Sequence, residues 1–280
     1  MKAAPFAYCR PDSVDEAVDV LAGGDAKVLA GGQSLVPVLA MRLGRPGTLV
    51  DITRLPGLDS LVIEDGQLHV GAAVRQRTVE RSAEVASVPL IRRAMPFVGH
   101  RELRSRGTVC GSLAHADPAA ELPAVAACLG ASVVLRGPGG ERVVPARDFV
   151  TGAMTTAAGP DELVTGVRFP VAADGEGFGF AEIARRHGDF ALAGVAVRVR
   201  GDEAVLAAFG VSDRPVVRDV SITDPTEAGL RPVTDALAHE VVDTDGDAHG
   251  SRGYRARLLG VLAARELARA HRDASQEVTA

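Results

Sequence analysis

A short apolar segment that runs into two glycines and straight on into a second apolar run constrains this chain more than any other feature. Lys27-Val-Leu-Ala30 reads as a buried strand, and Leu29-Ala-Gly-Gly-Gln-Ser-Leu-Val36 carries it into a turn. Ser34 then reads as the N-cap of a helix through about Leu43. Upstream, Ser13-Val-Asp-Glu16 has the form of a capping box and opens a helix with apolar Val14, Ala17, Val18 and Leu21, which stops at Gly23-Gly24. Downstream, Thr48-Leu-Val-Asp-Ile52 reads as a second strand. Glycines in the turn let backbone approach a ligand closely. The free amides of a helix start, together with its dipole, favour an anion there. The segment therefore suits a pyrophosphate, although an ordinary tight turn uses the same residues. No GxGxxG or GxxxxGK[ST] is present, so a Rossmann or P-loop reading lacks its signature.

Composition narrows the classes. With 280 residues, 46% hydrophobic and 24% charged, the chain is long enough for a sizeable core and ordinary in make-up. Tryptophan is absent and aromatics are 4%, so that core must be built from Ala, Val and Leu. A net charge of -5 gives no general attraction to nucleic acid. The basic cluster Arg101, Arg104 and Arg106 reads as a solvated face. Cys9, Cys110 and Cys128 are widely spaced without a CxxC, which argues against a cluster or zinc site in this chain and fits a reducing, cytoplasmic setting. No stretch of about 20 apolar residues offers a membrane span, and the N-terminus lacks the apolar stretch of a signal peptide.

From Leu61 the pattern becomes α+β. Leu61-Val-Ile and Leu68-His-Val flank Asp65-Gly66, a hairpin signal. Helices are expected near 76–86, 88–97 and Ala119 to Leu129, a hairpin across 137–140, and a strand from Glu162 to Pro170. A break is expected at 172–177, followed by strands at 178–186, 191–200 and 203–211 and helices near 232–240 and 252–271. The acidic loop 243–250 lacks the distal glutamate of an EF-hand and reads as a surface loop.

The second chemically suggestive segment is Arg106-Gly-Thr-Val-Cys-Gly-Ser-Leu-Ala-His-Ala-Asp-Pro-Ala-Ala-Glu-Leu-Pro123. Its small residues allow close backbone contact with a flat ligand. Thr108 and Ser112 can donate to phosphate or ribityl oxygens. Asp117 and Glu121, four apart, are expected to share a helix face and accept from sugar hydroxyls, the bland alternative being charge stabilisation of a helix start. Cys110 is either a thiol activated by a helix start or a small residue packed near the ligand. His115 and Asp117 lack a third metal ligand nearby.

Ala30-Gly-Gly-Gln-Ser-Leu-Val-Pro37 and the 106–124 segment, in this order and at this separation, resemble the two flavin motifs of the medium, FAD-binding subunit of the carbon monoxide dehydrogenase and xanthine dehydrogenase family of molybdenum hydroxylases. Phe180-Ala-Glu-Ile-Ala-Arg-Arg-His-Gly-Asp-Phe-Ala191 and the closing helix from Tyr254 extend the resemblance over nearly the whole chain. It implies a two-lobed FAD-binding fold of the p-cresol methylhydroxylase and vanillyl-alcohol oxidase type over about 1–172, with lobes of about 1–55 and 56–172, and a C-terminal α/β domain at 173–280. Cofactor contacts are then expected from Leu29, Ala30, Gly31, Gly32, Gln33, Ser34, Leu35 and Val36 around the pyrophosphate, and from Thr108, Val109, Cys110, Gly111 and Ser112 opposite. Ala116, Asp117 and Glu121 follow in the same motif, with Val164 and Thr165 reaching the isoalloxazine and Arg185 as a weak substitute for a lysine of some relatives.

The resemblance also implies partners: an iron–sulfur small subunit and a molybdenum large subunit, with electrons leaving FAD to NAD⁺, a quinone or oxygen. No catalytic acid or base is expected in this chain. Two departures stand out. Cys110-Gly111 replaces two glycines, which adds a side chain at a tight backbone position, and neither Ala181 nor Glu182 supplies the lysine. The alternatives are a stand-alone FAD enzyme acting on a small molecule, with His187 or Tyr254 recruited over the flavin, and a non-enzymatic module.

Overall fold

The computed structural model describes residues 2–277. At the N-terminus, β1 (Ala7–Cys9), α1 (Val14–Ala22), β2 (Ala26–Leu29), α2 (Leu35–Ala40) and β3 (Thr48–Asp51) form a parallel three-stranded sheet in the order β1-β3-β2. Parallel neighbours need crossovers, and the two helices supply them. Ser13 caps α1 by accepting from the Glu16 amide at 3.1 Å, while Glu16 accepts from the Asp12 amide at 2.7 Å. β3 is central, so Leu49 and Val50 are buried; β2 lies at an edge and is half-buried, not the buried strand its apolar run suggests. Ser34 does not cap α2. Its own backbone is helical and its side chain makes no cap bond. The helix ends at Ala40 because Arg42 takes a positive φ of 59°.

The second unit runs through β4 (Leu61–Glu64), β5 (Gln67–Gly71), α3 (Gln76–Arg81), α4 (Pro89–Ala94), α5 (Arg101–Arg104), α6 (Val109–His115) and α7 (Glu121–Leu129). It continues with β6 (Ser132–Gly137), β7 (Gly140–Pro145), α8 (Ala146–Phe149), β8 (Val150–Gly152), β9 (Thr155–Thr156) and β10 (Leu163–Pro170). The five-stranded sheet has the order β4-β5-β10-β6-β7. Asp65 and Gly66 both have positive φ, as a two-residue hairpin turn requires. β10 pairs Val167 with Val70 on one side and with Val133 on the other, and bulges at Thr165. The helices expected near 76–86 and 88–97 are shorter and each is followed by a 3₁₀ turn, Glu84–Ser87 and Met95–Phe97.

The third sheet is an antiparallel meander of β11 (Glu176–Ala184), β12 (Ala191–Arg200), β13 (Glu203–Phe209) and β14 (Val216–Ser221), followed by α9 (Glu227–Val241), the ribbon β15 (Gly246–Asp247) and β16 (Gly250–Ser251), and α10 (Arg252–Glu277). Strand alternation sorts its two faces. Val195, Val197, Val199, Leu206 and Ala208 pack with α9 and α10, while Phe178, Phe180, Ala196, Ala207 and Phe209 join the core of the first 170 residues. β12 is therefore covered on both faces. Sequence reading misses β1, which is only three residues long, and β14, and starts α9 too late, because Thr226 caps it by accepting from the Gly229 amide and Pro232 is tolerated inside. No helix among the described residues is long and apolar enough to cross a membrane.

Candidate functional site

The two glycine-bearing segments, far apart in sequence, touch through their backbones. A Cβ placed on Gly31 would lie 2.2 Å from the Arg106 carbonyl oxygen and 2.6 Å from the Gly107 Cα. Only a residue without a side chain permits that approach. Gly111 lies near Ala30 as well, a Cβ there standing at an ordinary 3.9 Å from the Ala30 methyl and 2.7 Å from the Thr108 hydroxyl. Gly32 has a φ of +72°, which turns the chain, and the turn is fixed by Gln33 donating to the Gly31 carbonyl at 3.0 Å and by the Val36 amide on the Gly32 carbonyl at 3.0 Å. The amides of Gly31, Gly32, Gln33 and Ser34 donate to no protein acceptor among the described residues. A compact set of free N–H donors beside small residues is what a pyrophosphate needs.

The opposing segment is held from below. Thr108 caps α6, its hydroxyl accepting from the Gly111 amide at 3.0 Å, so its remaining O–H is free to donate. Buried Gln76 accepts no role from the sequence alone, yet its amide N–H binds the Gly107 carbonyl at 2.8 Å and its side chain meets the Thr108 carbonyl at 3.4 Å. Cys110 does not disturb the loop. Its side chain points down into the core, 2% exposed, with Sγ 3.6 Å from the Val70 carbonyl, and burial pushes the thiol up to about 12. The reading of an activated thiol is thereby corrected: a helix start cannot offset full desolvation. Cys128 is equally buried. A thiol reagent is expected to modify Cys9 quickly and Cys110 and Cys128 only after unfolding, read by mass mapping.

Arg104 is not part of a solvated face. It is 7% exposed, donates through Nε and Nη2 to Glu80 at 3.1 and 3.0 Å, and through Nη1 to the Val98 and Gly99 carbonyls at 3.1 and 2.9 Å. Although burial pulls the Glu80 carboxyl upward, the hydrogen bonds from Arg104 and Arg77 carry it below its usual range. This fork holds the bend that leads into the second segment. Lysine at this position keeps the charge but loses the fork. Arg104→Lys is expected to lower stability by about 1–2 kcal/mol, measured by denaturant titration.

Asp117 and Glu121 do not share a helix face. Asp117 precedes Pro118, which disfavours helix, and its carboxylate accepts from the Ala119 amide at 2.9 Å in the loop, while α7 begins at Glu121. Ala116 is fully buried with φ 52°, and its carbonyl takes the Met154 amide at 2.9 Å. Burial pushes Glu121 up to about 7 and Glu182, on β11, up to about 8. A folded chain that holds these protons longer than the unfolded one is favoured at low pH. That contribution is lost as pH rises from the ordinary 4.5 through those values. Melting temperature of the protein without cofactor is accordingly expected to fall between about pH 4.5 and about pH 8 and to level off above that.

Val164 and Thr165 lie at the bulge of β10, where the Thr165 carbonyl takes the Ala72 amide at 3.0 Å beneath α6. Ser112, Leu35 and Val36 lie on the two segments themselves, Val36 exposed. The Arg185 guanidinium faces His249 at 3.3 Å. Just after Arg185, Gly188 sits against the His100 ring, which also meets His187 edge-on at 6.2 Å.

Residues 4–172 match the family described as the FAD binding domain in molybdopterin dehydrogenase. The chain is 38% identical to the 6-hydroxypseudooxynicotine dehydrogenase complex subunit alpha of Paenarthrobacter nicotinovorans and 36% identical to the caffeine dehydrogenase subunit beta of a Pseudomonas species, with 96% of each chain covered in both comparisons. It is 35% identical to the carbon monoxide dehydrogenase medium chain of Afipia carboxidovorans, over 95% of this chain and 96% of that one. Among solved structures, quinoline 2-oxidoreductase from Pseudomonas putida 86 superposes with a TM-score of 0.91 at 34% identity, covering 98% of this chain and 99% of that one. Carbon monoxide dehydrogenase from Hydrogenophaga pseudoflava gives a TM-score of 0.91 at 31% identity, covering 96% and 98%. The glycine approach that a single Cβ would fill fits the cofactor this family carries. The chain belongs to the FAD-binding medium subunits of the molybdenum hydroxylases.

Proposed function

We propose that this subunit holds FAD where the 29–36 turn meets the 106–112 segment, takes electrons from an iron–sulfur cluster of a small partner subunit fed by a molybdenum-bearing large subunit, and releases them to an acceptor. The observation that carries the reading is the backbone contact of Gly31 with Arg106 and Gly107 beneath a set of free amides. In this reading Leu29 to Val36 hold the pyrophosphate by backbone donors. Thr108, Val109, Gly111 and Ser112 line the opposite wall, with Cys110 contributing backbone only. Ala116, Asp117 and Glu121 border the sugar side, and Val164 and Thr165 form the floor. Bound FAD supplies the redox chemistry, accepting and returning electrons. The chain's own work is to bind it, exclude water from one side and present the other to a partner. We assign 1–172 to cofactor binding and 173–280 to a cover over it, working in the cytoplasm; residue 1 and residues 278–280 of those spans lie outside the described residues.

The test is reconstitution. The purified chain is incubated with FAD and freed of excess, and the released chromophore is identified after denaturation. Retained flavin bands that yield FAD support the reading; a chain that stays colourless overturns it. Reduction of that flavin by a reduced iron–sulfur partner, and not by the organic substrate alone, supports the electron route.

A further inference from the structure

Glu182 lies on the face of β11 that meets the first 170 residues. Phe178 and Phe180, four and two positions before it, pack on that face, Phe180 against Phe97 at 5.2 Å, while Gly177 and Gly179, which alternate with them, press on α10. Alternation therefore carries Glu182 toward the start of α7, and the carboxyl of Glu121 there acts on it. Oε2 of Glu182 is fully enclosed and has no hydrogen-bond partner. Oε1, also without a partner in the protein, is the oxygen that remains open.

The charged surroundings are few. Asp117 from the loop before α7 and Arg104 from α5 act on Glu121. Gly194 stands opposite Glu182 on β12 and carries no side chain. Glu266 of α10 is behind the sheet near Phe180, and Arg93 of α4 is engaged by Asp273. His100, just before α5, and His187, after β11, meet each other. Among the described residues no cation is paired with Glu182, and an unpaired carboxylate in such a place is expensive.

We propose that Glu182 is a further cofactor-holding residue of the flavin site, kept as the neutral acid by Glu121 and by its enclosed Oε2, and that through its open oxygen it donates a proton-bearing hydrogen bond to an acceptor of the bound flavin. The proposal rests on the placement of FAD argued above. A flavin ring presents carbonyl and ring-nitrogen acceptors, which a carboxylate would repel and a carboxylic acid satisfies. Losing the proton removes the donor and sets a negative charge against those atoms.

The experiment is FAD binding to the chain without cofactor, followed by quenching of flavin fluorescence from about pH 6 to about pH 9.5. For the unaltered chain, affinity is expected to fall by about tenfold per pH unit above the point where Glu182 ionises, the slope of one linked proton. Glu182→Gln keeps a donor that does not titrate, so its affinity is expected to stay level across the range, with a melting temperature at neutral pH close to the unaltered chain's. Glu121→Gln removes the like charge and is expected to move the descending limb to lower pH, a result that stands even where Glu182→Gln folds poorly. A level profile in the unaltered chain, or an unchanged slope in Glu182→Gln, overturns the proposal while leaving FAD in place. No FAD binding at any pH overturns the placement of FAD along with it.

Discussion

Gly31→Ala is expected to yield a folded chain that does not retain FAD. The new methyl would stand 2.2 Å from the Arg106 carbonyl oxygen and 2.6 Å from the Gly107 Cα, both backbone atoms that no rotamer change can remove. The two segments must part by roughly 1 Å, and a displacement of that size in a positioning element is worth about a hundredfold in function. Flavin affinity is the quantity to measure, with Gly139→Ala as the control, since nothing lies within 4 Å of a Cβ at that hairpin turn. The loss is specific to the contact between segments, because Gly31 itself does not need a positive φ. An unchanged affinity in Gly31→Ala would remove the basis for placing the pyrophosphate there.

Gly177→Ala is expected to be the most destabilising single methyl in the chain. Its Cβ would fall 1.8 Å from the Ala270 carbonyl oxygen and 2.9 Å from the Ala274 amide nitrogen, inside the backbone of α10. A long helix cannot yield at one residue, so either α10 lifts from β11 or the strand bends. Overpacking of this kind costs about 3 kcal/mol, seen as a drop of roughly 6–10 °C in melting temperature. Gly179 repeats the arrangement against Glu266, which shows that this strand is thinned on one side to seat the helix. FAD affinity measured well below the melting transition is expected to be little changed, which separates this variant from Gly31→Ala. A melting temperature within about 2 °C of the unaltered chain would mean that α10 is seated more loosely than the structure has it.

The parts of the fold written in local chemistry were legible. The capping box at Ser13, the Asp65-Gly66 turn and the glycine turn at Gly31 each specify a conformation within a few residues, and each is found. Family resemblance extended this to the cofactor. What stayed hidden depends on neighbours distant in the chain. Arg104 looks like any surface arginine until Glu80 and two carbonyls surround it, and Gln76 has no motif at all. Asp117 and Glu121 have helical spacing, but Pro118 breaks it. Cys110 appeared to crowd the ligand, since sequence cannot say on which side of α6 a side chain falls. Glu182 passed for an absence, a place where a lysine was missing, because its meaning lies in the enclosed oxygen and in Glu121.

The central strand of the five-stranded sheet, β10, is the last of that sheet to be made. Both hairpins, β4–β5 and β6–β7, can close on their own as they leave the ribosome, but β10 must slot between them, joining Val70 on one side to Val133 on the other. Non-local closure of this kind is slow relative to hairpin formation. A nascent chain that has already displayed both glycine segments still lacks the floor at Thr165 on which α6 rests. On the proposed placement, loading of the cofactor waits for β10, and a chain stalled before Leu163 would carry both glycine segments without the strand beneath α6.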